Sequence, residues 1–413
     1  VALVNRNDGI DIRANLTATT DLTLTADGDG TETTGAITRS TGAGILTATG
    51  GDLTLEAATG IGVIAGILPV AIGTVGGALS ATNTQSGYLF LDTGTITLAG
   101  AGASVSQCND GTARIDSSGT ITIGAGGTLS VGGTSGDIVL NADANIVISG
   151  DVTVGTSGTV TMDAGLAGAG TITRAAGTVT GGTVSMGLGG TTTSIGAAAA
   201  ANHVITAATT ALNLTSTTGD IYVDNMGAVT LGADTTSGNI TVANTGNLTA
   251  TAVASTSGDI VLTATGTFGT LAGGITTAGA ADTVSVTSAG NMTIAHDVTG
   301  PAGVTLSVTG NNLSLTHSAG AIDGTNAAIA HSAANMILSG VSIGSAAADT
   351  VTIVPYDGGK TVVLGSATDA AANSLELSTG EVGTITGLLI IGDGTNTSAV
   401  NVTAGISFPV GAD

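Results

Sequence analysis

The chain has 413 residues, of which 8% are charged and 1% aromatic, and its 29 acidic residues far outnumber its 6 lysines and arginines. The formal charge of −23 excludes a nucleic-acid-binding protein or a binder of anionic membranes, because both need a basic surface. A single cysteine, Cys108, excludes a disulfide framework and a thiolate metal cage. The many glycines, threonines and β-branched residues suit short strands better than the core of a globular enzyme.

The N-terminal segment begins with four apolar residues and does not match the pattern of a targeting signal. It reads VALVNRNDGIDIRA, without Met, a basic n-region or an apolar h-region, so we interpret the sequence as a mature chain or an internal fragment. Unpaired strand edges at the end of a repeat structure invite pairing. We therefore predict that Val1, Leu3 and Val4 contact another copy of the chain or neighbouring coils of a longer chain.

The stretch Ile61–Leu79, IGVIAGILPVAIGTVGGAL, permits three interpretations. A dinucleotide-binding turn at Gly60–Ala65 would need a helix and an acidic residue about 20 positions on, whereas Pro69 interrupts any helix and the next acid is Asp92. A membrane helix would need basic and aromatic flanks, which are missing, so we predict no membrane span. The third interpretation is roughly one coil of a repeat structure, whose uncharged outer face a neighbouring chain covers. The residues predicted to make that contact are Ile64, Ile67, Leu68 and Val70.

Apolar-x-apolar cores recur at nearly constant spacing in the second half of the chain. The cores begin at Ile221, Ile240, Ile260, Val284 and Leu306, and a second apolar position follows each at Val229, Leu248, Phe268, Met292 and Leu313. The steps between cores are 19, 20, 24 and 22 residues, and a unit of about 20 residues cannot bury its own apolar face. The sequence therefore predicts an all-β, right-handed parallel β-solenoid (β-helix), continuous over 1–413, with about 20 coils of about 20 residues.

Two further patterns agree with stacked coils. Thr-apolar-Thr triplets recur, as at Thr95–Thr97 and Thr120–Thr122, and place the apolar residue inside and the threonines outside. A longer repeat relates residues 61–100 to residues 195–234. Its matched pairs, offset by 132–134 residues, are Ile61 with Ile195, Leu79 with Leu212, Leu89 with Ile221 and Leu98 with Leu231.

Motifs typical of enzymes and metal sites occur without the context that they need. Gly340–Gly344 (GVSIG) matches a nucleophile elbow, but no histidine follows it and the next residues suggest a strand. Gly358–Thr361 (GGKT) lacks the first glycine of a phosphate loop, so we interpret Lys360 as a solvated turn residue. The histidines have no metal-like spacing, and we expect surface or turn positions for His203, His296, His317 and His331. We predict no catalytic, cofactor-binding or metal-binding residues.

Acidic turns and glycosylation-like sequences have plain explanations. Asp27–Gly30 and Gly392–Asn396 offer oxygen ligands to Ca²⁺, but neither completes a calcium loop. We predict no cofactor, with weak calcium binding as an open alternative and no assigned site. Asn-x-Thr sequences arise where an Asn starts a strand whose third residue is an outward Thr; they begin at Asn213, Asn239, Asn247 and Asn291.

Several segments resemble a known class of bacterial surface protein. SGDIVLTATG, SGNITVANTGNLTA, GDIYVDNMGAVTLG and the run 362–408 are similar to the repeat region of filamentous-haemagglutinin-type large exoproteins and related β-strand-repeat adhesins of Gram-negative bacteria. The resemblance covers nearly the whole chain, and 362–413 form the most family-like terminal coils. It implies a right-handed β-helix shaft, exported to the cell surface and used in adhesion, biofilm formation or intercellular contact.

Two functions follow as expectations. The first is a non-enzymatic extracellular shaft, structural and adhesive, on the bacterial cell surface, with host or cell-surface molecules as ligands. The second is a self-assembling filament or sheath subunit that stacks end to end, with Ile406, Phe408 and Val410 pairing with another copy. A polysaccharide-cleaving enzyme would need clustered charged residues and aromatic sugar platforms, and ice binding would need threonine rows aligned on a flat face; we expect neither.

Overall fold

The chain is an all-β protein that folds as a parallel β-solenoid of about 14 turns with 2% helix. The computed structural model describes residues 1–6, 8–26, 34–62, 69–100, 102–340, 342–345, 348–366, 373–392 and 397–407. The predicted fold class is confirmed, whereas the predicted number of about 20 coils is wrong. The chain divides into two compact units, Val1–Thr217 (unit 1) and Thr218–Asp413 (unit 2). That the two units form one continuous solenoid stays a prediction.

Unit 1 consists of short strands joined by tight turns, with a 3-10 turn at Ala200–Asn202. Its strands are β1 (Ala2–Asn5), β2 (Ile10–Asp11), β3 (Leu16–Ala18), β4 (Leu22–Ala26), β5 (Ala36–Thr38), β6 (Ile45–Ala48), β7 (Leu53–Ala57), β8 (Gly60–Ile61), β9 (Val70–Val75), β10 (Leu79–Asn83), β11 (Tyr88–Thr93), β12 (Ile96–Leu98), β13 (Ser104–Gln107), β14 (Thr112–Ser117), β15 (Ile121–Ile123), β16 (Thr128–Val131), β17 (Asp137–Ala142), β18 (Ile146–Ile148), β19 (Asp151–Thr153), β20 (Thr159–Ala164), β21 (Gly170–Arg174), β22 (Val179–Met186), β23 (Thr192–Ile195) and β24 (Val204–Ser216).

The central coils of unit 1 have three sides. Here each strand pairs in parallel with the strand three places further along the chain, so that β14, β15 and β16 pair with β17, β18 and β19. The backbone N–H and C=O groups of one coil are thus satisfied by the next coil, about 4.8 Å away. These central coils therefore repeat the same three sides, and a side chain at one position has a counterpart one coil further on.

Unit 2 also consists of short parallel strands, and three of them form a small separate sheet. Its strands are β25 (Ile221–Asn225), β26 (Val229–Thr235), β27 (Ile240–Asn244), β28 (Leu248–Ser255), β29 (Ile260–Ala264), β30 (Phe268–Thr270), β31 (Ile275–Thr277), β32 (Thr283–Ser288), β33 (Met292–Ile294), β34 (Val298–Thr299), β35 (Gly303–Val308), β36 (Ser314–His317), β37 (Ala321–Asp323), β38 (Ala328–Ala333), β39 (Asn335–Leu338), β40 (Ser342–Ile343), β41 (Thr350–Pro355), β42 (Lys360–Leu364), β43 (Ser374–Leu377), β44 (Leu388–Ile391) and β45 (Thr397–Val402). One helical turn, α1 (Thr379–Val382), precedes β44, and β43, β42 and β45 form a separate parallel sheet.

The register of unit 2 matches most of the predicted repeat. The first four predicted cores lie opposite one another on successive coils, at steps of 19, 20 and 24 residues. The fifth prediction is wrong by two residues, because Leu306 lies opposite Val286. The last second position is also wrong by two, since Leu315, rather than Leu313, lies opposite Met292. A slip of two residues keeps the same side chains inside, so the apolar pattern cannot detect it.

The number of coils was overestimated because the most regular coils are also among the shortest. Their repeat is easy to see in the sequence, and a count that applies it to the whole chain is too high. In unit 1, however, the coil from Leu24 to Leu55 has 31 residues, and the coil from Ile61 to Leu89 has 28. Surface turns can lengthen at little cost to stability, so the length of a coil is weakly constrained.

Aliphatic side chains fill the interior in columns that run along the coils. Leu22, Leu53 and Leu79 lie in register, and all three are buried. Ile96 and Ile121, at the centres of two Thr-apolar-Thr triplets, are buried as predicted. All eight residues in the matched pairs of the long repeat lie in strands and are buried. Stacked Leu, Ile and Val thus fill a narrow interior at high density without aromatic bulk.

Candidate functional site

Buried polar side chains close many corners of the coils. Asn83, at the end of β10, donates through Nδ2 to the carbonyl of Ser86 (2.6 Å) and to Oε1 of Gln107 (2.9 Å). In unit 2, Nδ2 of Asn225 donates to Oδ1 of Asn244 on the next coil (2.8 Å). Hydroxyl groups bond turn carbonyls in the same way at Ser117, Thr235, Ser255, Thr277 and Ser288. These corner clamps satisfy carbonyl groups that would otherwise be buried without a donor.

Asp and Asn side chains also link one coil to the next at the surface. Oδ1 of Asp220 accepts from the backbone N–H of Asn239 (2.7 Å), and Oδ1 of Asn239 accepts from that of Asp259 (2.9 Å). Asn247 makes the same bond to Thr267 (2.9 Å). Backbone N–H groups favour the charged carboxylate, so many acids can be held without basic partners. This arrangement explains how the chain tolerates its charge of −23.

One side of unit 1 carries two aligned rows of hydroxyl-bearing side chains. Parallel register places the members of each row one coil apart, about 4.8 Å, and the Oγ atoms of Ser80 and Ser104 are 3.4 Å apart. The rows are Thr23, Thr54, Ser80, Ser104 and Thr128, and Thr82, Ser106, Ser130, Thr153 and Thr180. The coils thus present a regular array of hydrogen-bond donors and acceptors to the outside.

A second side of unit 1 carries a polar aromatic patch. The rings of Tyr88 and Phe90 lie 6.4 Å apart, and the guanidinium carbon of Arg114 lies 5.9 Å from the centre of the Phe90 ring. Nε of Arg114 donates to both carboxylate oxygens of Asp116 (2.8 and 2.9 Å), and Asn141 donates to the same carboxylate (2.7 Å). These groups bond to and pack against one another, so the patch links neighbouring coils at the surface.

The predicted contact residues fall into three groups. Val1 (66% exposed) precedes β1, Leu3 and Val4 are exposed on β1, and Ile406 is partly exposed. Val70 is fully buried in β9, so its side chain packs inside unit 1 and is not available to a neighbouring chain. The positions outside the described residues are Ile64, Ile67, Leu68, Phe408 and Val410. Contact with another chain stays a prediction.

The motif residues Ser342 and Lys360 lie in strands, and the prediction for Lys360 is wrong. Ser342 lies in β40 and pairs in register with Ala321, rather than on a turn into a helix. Lys360 is not a solvated turn residue: it is 5% exposed, and its Nζ donates to the carbonyl of Ala334 (3.0 Å) and pairs with Oδ2 of Asp357 (3.1 Å). A buried ammonium needs such partners, and the sequence alone did not indicate them.

The histidines were also partly misplaced. His203 and His296 lie in turns, as expected, although His203 is only 8% exposed and His296 is half-buried. His317 and His331 are instead buried in strands. They were expected at the surface because charged or polar rings usually remain there. Burial lowers the pKa of His331 to about 3 and also lowers the pKa of His317. Both rings are therefore neutral inside unit 2.

The described residues contain no group of three or more His, Cys, Asp and Glu that could hold a metal ion. In the same part of the chain, no helix is long and apolar enough to cross a membrane. Asp27–Gly30 lies outside the described residues, as does Gly392–Asn396 beyond its first glycine. Weak calcium binding therefore stays an open prediction.

Comparisons with protein-family models, curated proteins and solved structures found no match to the chain. The resemblance to filamentous-haemagglutinin-type exoproteins accordingly stays a prediction that rests on the sequence segments given above.

Proposed function

We propose that the chain is the non-enzymatic, structural and adhesive shaft of an extracellular bacterial surface exoprotein. The observation that supports this is the residue-for-residue parallel register of the coils within each unit, as between β14, β17 and β20. Such a stack gains length by repeating one kind of contact, and each coil is stabilised by its neighbours. A protein built in this way is suited to spanning distance.

The adhesive part of the proposal rests on the hydroxyl rows of unit 1. Ser106, Ser130 and Thr153 hold fixed positions on paired strands, so their hydroxyl groups form hydrogen bonds without first losing the freedom of a flexible loop. An array of this kind suits a repetitive polar surface, such as a host or cell-surface glycan. Its strength would come from many weak contacts acting together.

Localisation is the first test. Immunogold electron microscopy of the organism that produces the chain is expected to place the label outside the cell envelope, on material that extends from the surface. Label confined to the cell interior would overturn the proposal.

Adhesion is the second test. Beads coated with the chain are expected to bind producing or host cells, and a triple variant, Ser106→Ala, Ser130→Ala and Thr153→Ala, is expected to bind less. The matched control replaces three outward threonines of unit 2 by alanine, at Thr241, Thr249 and Thr293. Equal loss in both variants would contradict a role for the hydroxyl rows.

The second candidate, a subunit that stacks end to end, is favoured by exposed residues at inward positions. Leu3 lies opposite the buried Leu24 but is 47% exposed, and Val402 lies opposite Leu364 but is 66% exposed. A neighbouring strand would bury both side chains. Sedimentation velocity at rising concentration is expected to show association that Leu3→Glu removes and that Leu166→Glu, at another exposed leucine, does not. A chain that stays monomeric at all concentrations would contradict this candidate.

A further inference from the structure

We propose that the coil carrying His317 and His331 is an acid-sensitive element, which opens at mildly acidic pH while the coils from Ile221 to Val308 remain closed. We name residues Ser314–Leu338, which form β36 to β39, the histidine coil. This inference concerns the response of the shaft to its surroundings and does not depend on the shaft's being adhesive.

His331 occupies a core position that elsewhere holds an aliphatic residue. In β38 it lies in register between Leu306 on one coil and Ile353 on another, and it is 1% exposed. Neither of its ring nitrogens has a hydrogen-bond partner among the described residues. A buried polar ring without partners costs free energy even when neutral, and a buried imidazolium would cost much more.

His317 lies near His331 and is a corner clamp whose ring can take up a proton. Its Nε2 lies 2.8 Å from the carbonyl oxygen of Gly320. Because a carbonyl only accepts, we assign the ring proton to Nε2, which leaves the buried Nδ1 without a donor. A Cβ at Gly340 would lie 2.5–2.7 Å from three ring atoms, so the backbone of the next coil closes tightly over the ring. Water therefore has little room to stabilise a charged form.

The strands around His331 supply no opposite charge. β35 and β41, which pair with β38, carry no titratable residue, and neither does β39; β36 contributes His317. On β37, Oδ1 of Asp323 accepts from the N–H of Thr325 (2.7 Å). The buried Asp349, just before β41, accepts from the N–H groups of Asn326 (2.6 Å) and Ser345 (2.6 Å). Both carboxylates are thus held by other donors. Lys360, which donates to the carbonyl of Ala334, and Glu381, which accepts from the N–H of Leu338, also bond to the histidine coil. The charge that acts on the pKa of His331 is that of His317, and it lowers this pKa further.

The direction of the pH effect follows from the pKa of His331. Burial lowers this pKa to about 3 in the folded chain, whereas an opened coil has the ordinary value of about 6.5. As the pH falls below about 6.5, the opened state takes up the proton first, so opening becomes more favourable until the folded state also protonates near pH 3. At pH 4.5, two units below 6.5, the opening equilibrium rises about 100-fold through His331 alone.

Hydrogen exchange with mass spectrometry at pH 7.5 and 4.5, corrected for intrinsic exchange rates, tests the proposal on the whole chain. The opening constant of β38 is expected to rise about 100-fold and that of β27 less than tenfold. His331→Leu, which matches Leu306 in the same column, is expected to reduce the difference between the strands to the part that His317 contributes. His296→Gln, at a half-buried histidine in a turn, should leave it intact.

Either of two results would overturn the proposal. One is equal protection of β38 at both pH values in the unmodified chain. The other is a His331→Leu variant with an unchanged pH response. If that variant does not fold, NMR titration of the His331 ring in the unmodified chain decides the matter, since a pKa near the ordinary value of about 6.5 contradicts the mechanism.

Discussion

Unit 2 contains two regions that share one fold but differ in the chemistry of their buried polar groups. The regular coils, Ile221–Val308, close their corners with neutral side chains, such as Asn225, Asn244 and Ser288. The C-terminal coils, residues 314–391, bury titratable groups instead. Those groups are His317, His331, Asp349, Lys360 and Glu381.

The difference shows what repetition permits and what it does not. A neutral clamp needs one or two partners and can recur on every coil, because each new coil supplies the next carbonyl or amide. A charged group must bring its own partners: Glu381 accepts from the N–H groups of Leu338 (2.9 Å) and Ser378 (2.8 Å). Glu381 of α1 thus accepts a hydrogen bond at the edge of β39 with which a further coil would otherwise pair.

The largest expected effect belongs to the regular coils. Phe268 is 2% exposed and fills the interior opposite Leu248, so Phe268→Ala should lower the free energy of unfolding of unit 2 by about 4 kcal/mol, through lost burial and a cavity. Val261→Ala, at an exposed position on a neighbouring strand, should change it by less than about 0.5 kcal/mol. Denaturant titration measures both changes in the free energy of unfolding. Similar losses for the two variants would show that the column of side chains that contains Phe268 is not the core.

The second effect tests the hydrogen bonds that the buried Glu381 accepts. Glu381→Ala leaves the buried N–H of Leu338 without an acceptor and removes the capping box at Ser378, so we expect a loss of about 3 kcal/mol. Glu56→Ala, at an exposed glutamate of unit 1, is the control and should be nearly neutral. If Glu381→Ala leaves the free energy of unfolding unchanged, the end of β39 does not need this carboxylate.

The third effect measures a neutral clamp for comparison with the charged one. Asn244→Ala removes the acceptor of Asn225 and the donor to the carbonyl of Asn247, and we expect a loss of about 2 kcal/mol. Thr241→Ala on the outer face of the same strand should cost less than about 0.5 kcal/mol. If Asn244→Ala costs more than Glu381→Ala, the contrast between the two regions is reversed.

The sequence was sufficient for the fold class because period-two alternation and a repeat of about 20 residues leave few ways to bury the apolar face. It located Ile240 and Ile260 in register, since neighbouring short coils differ little in length. It could not set the number of coils, because turn length varies freely, nor distinguish Leu313 from Leu315, because a two-residue slip keeps the inward face.

Buried polar groups were the part that the sequence did not reveal. Lys360 and His331 look like surface residues by type, and only the stacking of coils places partners beside the first and none beside the second. The corner clamps did leave a signal, since Asn225, Asn244 and Ser288 each end a strand shortly before a glycine. That signal can be interpreted once the strands are known to be stacked, because the partner of each clamp lies on another coil.

The smallest expected effect extends the comparison to surface carboxylates. Oδ1 of Asp110 accepts from the N–H groups of Thr134 (2.6 Å) and Ser135 (2.7 Å), and these bonds lower its pKa, with Ser135 the larger cause. A lowered folded pKa means that the carboxylate stabilises unit 1 above the unfolded value of about 3.9, and that this contribution is lost as the pH falls through the folded pKa. Asp110→Asn should therefore be slightly less stable than the parent chain near neutral pH, and the two should converge in acid. A thermal-melting series over pH checks this, with Glu56→Gln as control; a gap of the same size at neutral and acid pH would show that the charge of Asp110 does not carry the contribution.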